Sequence, residues 1–148
     1  MLGNQYFLGR NYSQALGEFE ECILKDPTNK AVKRKLTICY VQTGKLDEAL
    51  LLFHELINED IKFVIDADPI RDDCPCAELI KSIDTSNYDL YESKLTYGIL
   101  WLFCEPQTSL EFFTQAQQIR PSNKFISQII NIIQGYLNNH LIKTEKQK

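Results

Sequence analysis

The sequence predicts an all-α chain, a stack of antiparallel helix hairpins closed by a C-terminal helix. Three observations predict it. One constant shift along the chain superposes Leu2 on Leu36, Tyr6 on Tyr40, Ala15 on Ala49 and Leu16 on Leu50. The same shift pairs Phe19 with Phe53, Glu21 with Glu55, Ile23 with Ile57 and Asp26 with Asp60. Within each unit the apolar residues recur every three or four positions, the period of one helix face. Gly, Pro and Asn punctuate the units where a helix must stop or start.

The elements follow in chain order. In the first unit Ala15, Leu16, Phe19 and Ile23 form an apolar stripe, and Asp26-Pro27-Thr28-Asn29 ends it. Pro27 cannot continue a helix, and Asn29 can cap the next. Leu36, Cys39, Tyr40 and Thr43 share one face of the following helix. Gly44 can take the left-handed conformation that closes a helix and opens a tight turn. Leu46, Ala49, Leu50, Phe53, Leu56 and Ile57 then give the antiparallel partner.

A third unit recurs late. Leu110, Phe113, Ala116 and Pro121 repeat the second-helix pattern, with Tyr97, Gly98 and Trp101 before them. Phe113 follows Phe53 at nearly twice the interval that separates Phe53 from Phe19, so the chain carries an insert, around Lys62 to Ser86. That insert carries two acidic turns, Asp66-Ala67-Asp68-Pro69 and Asp72-Asp73-Cys74-Pro75. Asp73 is the expected N-cap of a short helix from Cys76 to Ile83, with Pro75 in its first turn. After Asp84-Thr85-Ser86-Asn87, helices are expected from Tyr88 to Cys104 and from Gln107 to Gln118. Phe125, Ile129, Ile132, Ile133, Tyr136 and Leu137 make a final amphipathic helix. Its outer face, Ser127, Asn131, Gln134, Asn138 and Asn139, is polar, as the end of a repeat array requires.

The repeat length and these residues resemble the tetratricopeptide repeat, a helix-turn-helix unit of about 34 residues. The matching positions are Gly3, Tyr6, Tyr12, Ala15, Phe19 and Pro27 in the first unit. In the second they are Leu36, Tyr40, Gly44, Ala49 and Phe53, with Ile61 where the closing Pro would fall. The resemblance implies an α-solenoid, a right-handed superhelix of hairpins with a C-terminal capping helix. The expected division of one domain, 1–148, is repeat 1 at 1–29, repeat 2 at 30–60 and an insert with a short helix at 61–86. A divergent repeat 3 at 87–121, the capping helix at 122–142 and a charged, frayed tail at 143–148 complete it. On this register Met1 falls about a turn into the first helix, so that helix is short or the chain is a segment of something longer.

Composition narrows the function. Sixteen Lys and Arg against 20 Asp and Glu give a net charge of −4, without the basic surplus a nucleic-acid face needs. The longest uncharged stretch, Phe125 to Leu137, is too short to span a bilayer, and the N-terminus lacks the pattern of a signal peptide. Five cysteines scattered at 22, 39, 74, 76 and 104 argue for reduced thiols, so a cytoplasmic protein is expected. There is no Gly-rich phosphate loop, His-Glu-x-x-His or Gly-x-Ser-x-Gly, so no catalytic residues are assigned. His54 is expected to face solvent, and His140 lies near the tail. Cys74-Pro75-Cys76 could bind a soft metal or oxidise, but a structural zinc site wants a second pair, and none exists. No metal or cofactor is therefore assigned. Cys22, Cys39 and Cys104 fall where small core residues are expected, and the acidic run from Glu59 to Asp73 reads as a solvated loop.

The function expected is a non-enzymatic protein-interaction module or scaffold that holds a partner peptide or helix. The resemblance places its groove on the first helices, at Asn4, Phe7, Leu8, Arg34, Ile38, Val41 and Gln42, with Ile99, Leu102 and Phe103 in the divergent unit. The inserted segment would add a second contact or a lid, or already fill the groove. Some family members grip C-terminal carboxylates with Lys, Asn and Arg; Asn4 matches one clamp position, but Ile38 replaces the next Asn. Alternatives are a thiol- or metal-dependent sensor built on Cys74 and Cys76, and a self-associating homodimer.

Overall fold

The computed structural model describes residues 2–72 and 74–146, with side chains through residue 140. Among the described residues it is all-helical: α1 (Leu2–Leu8), α2 (Tyr12–Lys25), α3 (Lys30–Gln42), α4 (Leu46–Ile65), α5 (Cys76–Ser82), α6 (Leu90–Leu102), α7 (Pro106–Ile119) and α8 (Lys124–Lys146). α1 packs on α2, α3 on α4, and α6 on α7, and α2 also meets α3, so the hairpins stack as a helical solenoid. The core runs through the stack without a break, from Phe7 and Phe19 through Phe53 and Leu56 to Phe113 and Ile129.

The turns follow local chemistry. Asn29 Oδ1 accepts the Val32 amide at 3.1 Å and starts α3. Gly44 has φ +78° and ends α3. One repeat earlier the same turn is made by Arg10, at φ 61°, a conformation that L-residues other than Gly, Asn and Asp seldom adopt. A glycine in α1 and one in α6 each face the aromatic of the partner helix. A Cβ on Gly98 would stand 3.0 Å from the Phe113 ring, and one on Gly3 would stand 2.8 Å from that of Phe19.

Several boundaries differ from the sequence expectation. α4 does not stop at Asp60; that residue is non-helical (φ −162°, ψ 85°), and the helix resumes to Ile65. Ile61 stands where the repeat's Pro would stop the chain, so nothing prevents the extra turn. α6 starts at Leu90 because Asp89 and Glu92 form a reciprocal capping box. Glu105 accepts the Gln107 and Thr108 amides and opens α7 one residue early, at Pro106. The Asp73 cap lies outside the described residues; Pro75 occupies the N-cap of α5. α8 is helical through Lys146, into the stretch expected to fray, and Gln147 and Lys148 lie outside the described residues. It buries Ile126, Ile129 and Ile133 against both α7 and α4.

Candidate functional site

The insert closes over the first-helix face. After α4 the chain runs through a turn at 66–72 and α5 to residue 86; we call this segment, 66–86, the strap. The turn is held by Asp68 and Asp72. Asp68 Oδ1 accepts the amides of Ile70 and Arg71, and Asp72 Oδ2 accepts the Asp68 amide at 2.8 Å. These backbone amides hold the Asp68 carboxyl below the ordinary range, and the Asp68 amide, with Arg71, does the same for Asp72.

Arg34 on α3 is the anchor of this arrangement. Only 5 % of it is exposed. Its guanidinium donates to the Phe63 carbonyl at 3.0 Å and lies 4.3 Å from the Phe63 ring centroid. Asp72 Oδ1 stands 3.7 Å away, which compensates a charge that would otherwise be costly to bury. At the other end, Glu78 of α5 pairs with Arg10 at 3.4 Å, tying the strap to the turn between α1 and α2. Val64, Cys74, Cys76 and Leu79 are buried in the same apolar cluster as Phe7, Ile38 and Val41.

The residues that the resemblance assigns to the groove therefore divide. Phe7, Ile38 and Val41 are fully buried, and Arg34 nearly so. Phe7 packs edge-on against Tyr12 and Phe19, with ring centroids 5.7 and 6.0 Å away. Asn4 is half-buried and accepts from Lys35 Nζ at 3.1 Å. Leu8, 62 % exposed, and Gln42 are open to solvent. In the third unit Ile99, Leu102 and Phe103 are buried. The end of α4 and the acidic turn lie beside Arg34 on α3, whereas α5 packs on α6.

Burial also sorts the titratable groups. Lys33 is 2 % exposed and sits 2.9 Å from both Glu55 and Glu59. Burial works against its charge, but the hydrogen bonds to Glu59 and Glu55 outweigh it, and its pKa rises above 10.5. Burial pushes the Cys39 thiol up to about 12 and the Tyr12 phenol up to about 12. The buried Tyr12 hydroxyl has no hydrogen-bond partner among the described residues.

Two expectations need correction. Cys104 is not a core residue; it follows the end of α6 and is exposed. His54 does not simply face solvent; it is half-buried, with its ring centroid 5.4 Å from that of Phe125 on α8. His140 is exposed and stacks on Tyr136. Among the described residues, no cluster of three His, Cys, Asp or Glu side chains is arranged to hold a metal, and no helix is long and apolar enough to cross a membrane.

Comparison with known proteins agrees with the hairpins. Residues 7–61 match the tetratricopeptide repeat family. That segment is similar to tetratricopeptide repeats, a family whose members generally mediate protein–protein interactions. Neither a curated protein nor a solved structure matches the chain significantly.

Proposed function

We propose that the chain is a non-enzymatic protein-interaction scaffold whose partner, a peptide or helix, docks on the face of α1 and α3. Asn4, Leu8 and Gln42 form the accessible rim of that face, and Phe7, Arg34, Ile38 and Val41 form its floor. The observation that carries the reading is the strap itself. The acidic turn is paired with Arg34 on this face, and α5, which packs on α6, is paired with Arg10 beside it. The Arg10–Glu78 pair is exposed, and such a pair contributes about 0–1 kcal/mol, so a partner that replaces it there meets a small barrier. Phosphates, metals and substrates have no part in this reading; recognition is by shape, apolar contact and the two cations.

The test is affinity capture with three proteins: the wild type, a strap-weakened Asp72→Asn, Glu78→Gln variant, and a rim variant, Leu8→Glu, Gln42→Glu. The strap-weakened protein retains more of a given partner than the wild type, and the rim variant loses it while keeping its helical circular dichroism. Retention indifferent to both pairs of substitutions would overturn the reading. Light scattering of each protein at two concentrations separates a captured partner from self-association.

A further inference from the structure

Beside the anchor at Arg34 lies a feature that the binding face does not use. Cys74 and Cys76 bracket Pro75 at the start of α5, and their Sγ atoms are 3.0 Å apart. A disulfide needs about 2.05 Å between sulfurs, so closure asks for a movement of about 1 Å. Both side chains are buried, Cys74 at 8 % exposure and Cys76 at 1 %. The turn before them holds the pair together, since the Cys74 amide donates to the Pro69 carbonyl at 3.2 Å.

We propose that Cys74 and Cys76 form a reversible intrachain disulfide by exchange with a low-molecular-weight disulfide. The Cys74 thiolate attacks one sulfur of that disulfide; its S–S bond breaks, and the other half leaves as a thiolate. Cys76 then loses its proton to solvent and attacks the Cys74 sulfur of the mixed disulfide, releasing the second small thiol. Two protein thiols are oxidised by two electrons, and one small disulfide is reduced to two thiols.

The order of attack follows from the surroundings. The side-chain hydrogen bond shared with Cys76, the Cys76 backbone amide and nearby Arg34 hold the Cys74 thiol below its ordinary 9.0 despite burial. Cys76 is pushed well above 9.0 by burial first and then by Cys74. The exposed Cys104 is pushed up by burial and by Cys74, and Cys39 by burial alone. Cys74 is therefore the better nucleophile of these four, and Cys76 the thiol placed to resolve it. A ring closed over a single intervening residue restricts the unfolded chain little, so the bond adds little stability and is readily reduced. The site stands whether or not the α1–α3 face binds a partner.

The test uses the full chain equilibrated in glutathione buffers of graded reduced-to-oxidised ratio, quenched with acid, alkylated and mapped by mass spectrometry. The expected product is lighter by two hydrogen atoms, carries its bond between Cys74 and Cys76, and reverts with the ratio. Stable glutathione adducts on Cys74 in the wild type, a bond to Cys104, or no oxidation of either thiol would each overturn the proposal. Two variants separate the roles. Cys76→Ser accumulates glutathione on Cys74, whereas Cys74→Ser leaves Cys76 unmodified. Should either variant fail to fold by circular dichroism, the wild-type map and a Cys104→Ser protein that keeps the bond decide alone.

Discussion

The hydroxyl of Tyr12 is buried without a hydrogen-bond partner among the described residues, beneath a strap whose Glu78 and Cys76 are close enough to raise its pKa further. A buried hydroxyl left unpaired costs about 1–3 kcal/mol. Tyr12→Phe keeps the ring against Phe7 and is expected to match or exceed the wild type in urea midpoint. A loss of more than about 1 kcal/mol would mean that the hydroxyl has a partner. Cys39, Tyr12 and Lys33 also set the alkaline limit. Each has a folded pKa above its ordinary value of 9.0, 10.0 or 10.5, so the folded state holds protons that the unfolded state releases. Their stabilisation is complete below these values and is lost as pH rises through the folded ones. Stability should hold to about pH 9 and fall between about 9 and 12. Urea titrations across that range check it, and Cys39→Ala should make the fall shallower.

At the scale of elements, the hairpins are held by small residues set against aromatics. Gly98 faces Phe113, whose ring in turn stacks on Phe53 at 5.7 Å and joins the third hairpin to α4. Gly98→Val would drive a branched side chain into that ring and should cost about 1–3 kcal/mol by denaturant unfolding. A cost below about 0.5 kcal/mol would mean that the two helices separate freely. Part of this packing was legible in the sequence, because Gly3 and Gly98 occupy first-helix positions, 16 and 15 residues before Phe19 and Phe113. So were Asn29 and Gly44, whose roles depend on neighbours a few residues away. The Asp89–Glu92 box was legible too, but Tyr88 draws the helix start toward itself. Glu105 is an uncommon N-cap, and Glu105-Pro106 reads more simply as the end of α6. The extra turn of α4 needed only the observation that Ile61 is not Pro.

At the scale of the whole molecule, what was not legible is the closure of the strap. Arg34 meets Asp72 38 residues on, and Arg10 meets Glu78 68 residues on. No period or local signal encodes contacts at such separations, so the repeat register left open whether the insert extends the groove or covers it. The same closure brings Ile38 and Val41, separated in sequence from the insert, into one core with Cys76 and Leu79. On the proposed function, this cover is a displaceable occupant of the face where a partner docks. Most residues of the turn at 66–72 are exposed, the mark of a segment that opens below the global unfolding free energy.

The most direct measurement is the distance distribution between spectroscopic labels on the exposed residues Ile70 and Leu51, attached through non-natural amino acids so that every cysteine is kept. One short distribution is expected in the free chain. A second, longer population is expected when the Asp72→Asn, Glu78→Gln substitutions are introduced or the captured partner is added. A distribution unchanged by both would contradict the proposed function, making the strap a fixed part of the core and the covered face no site at all.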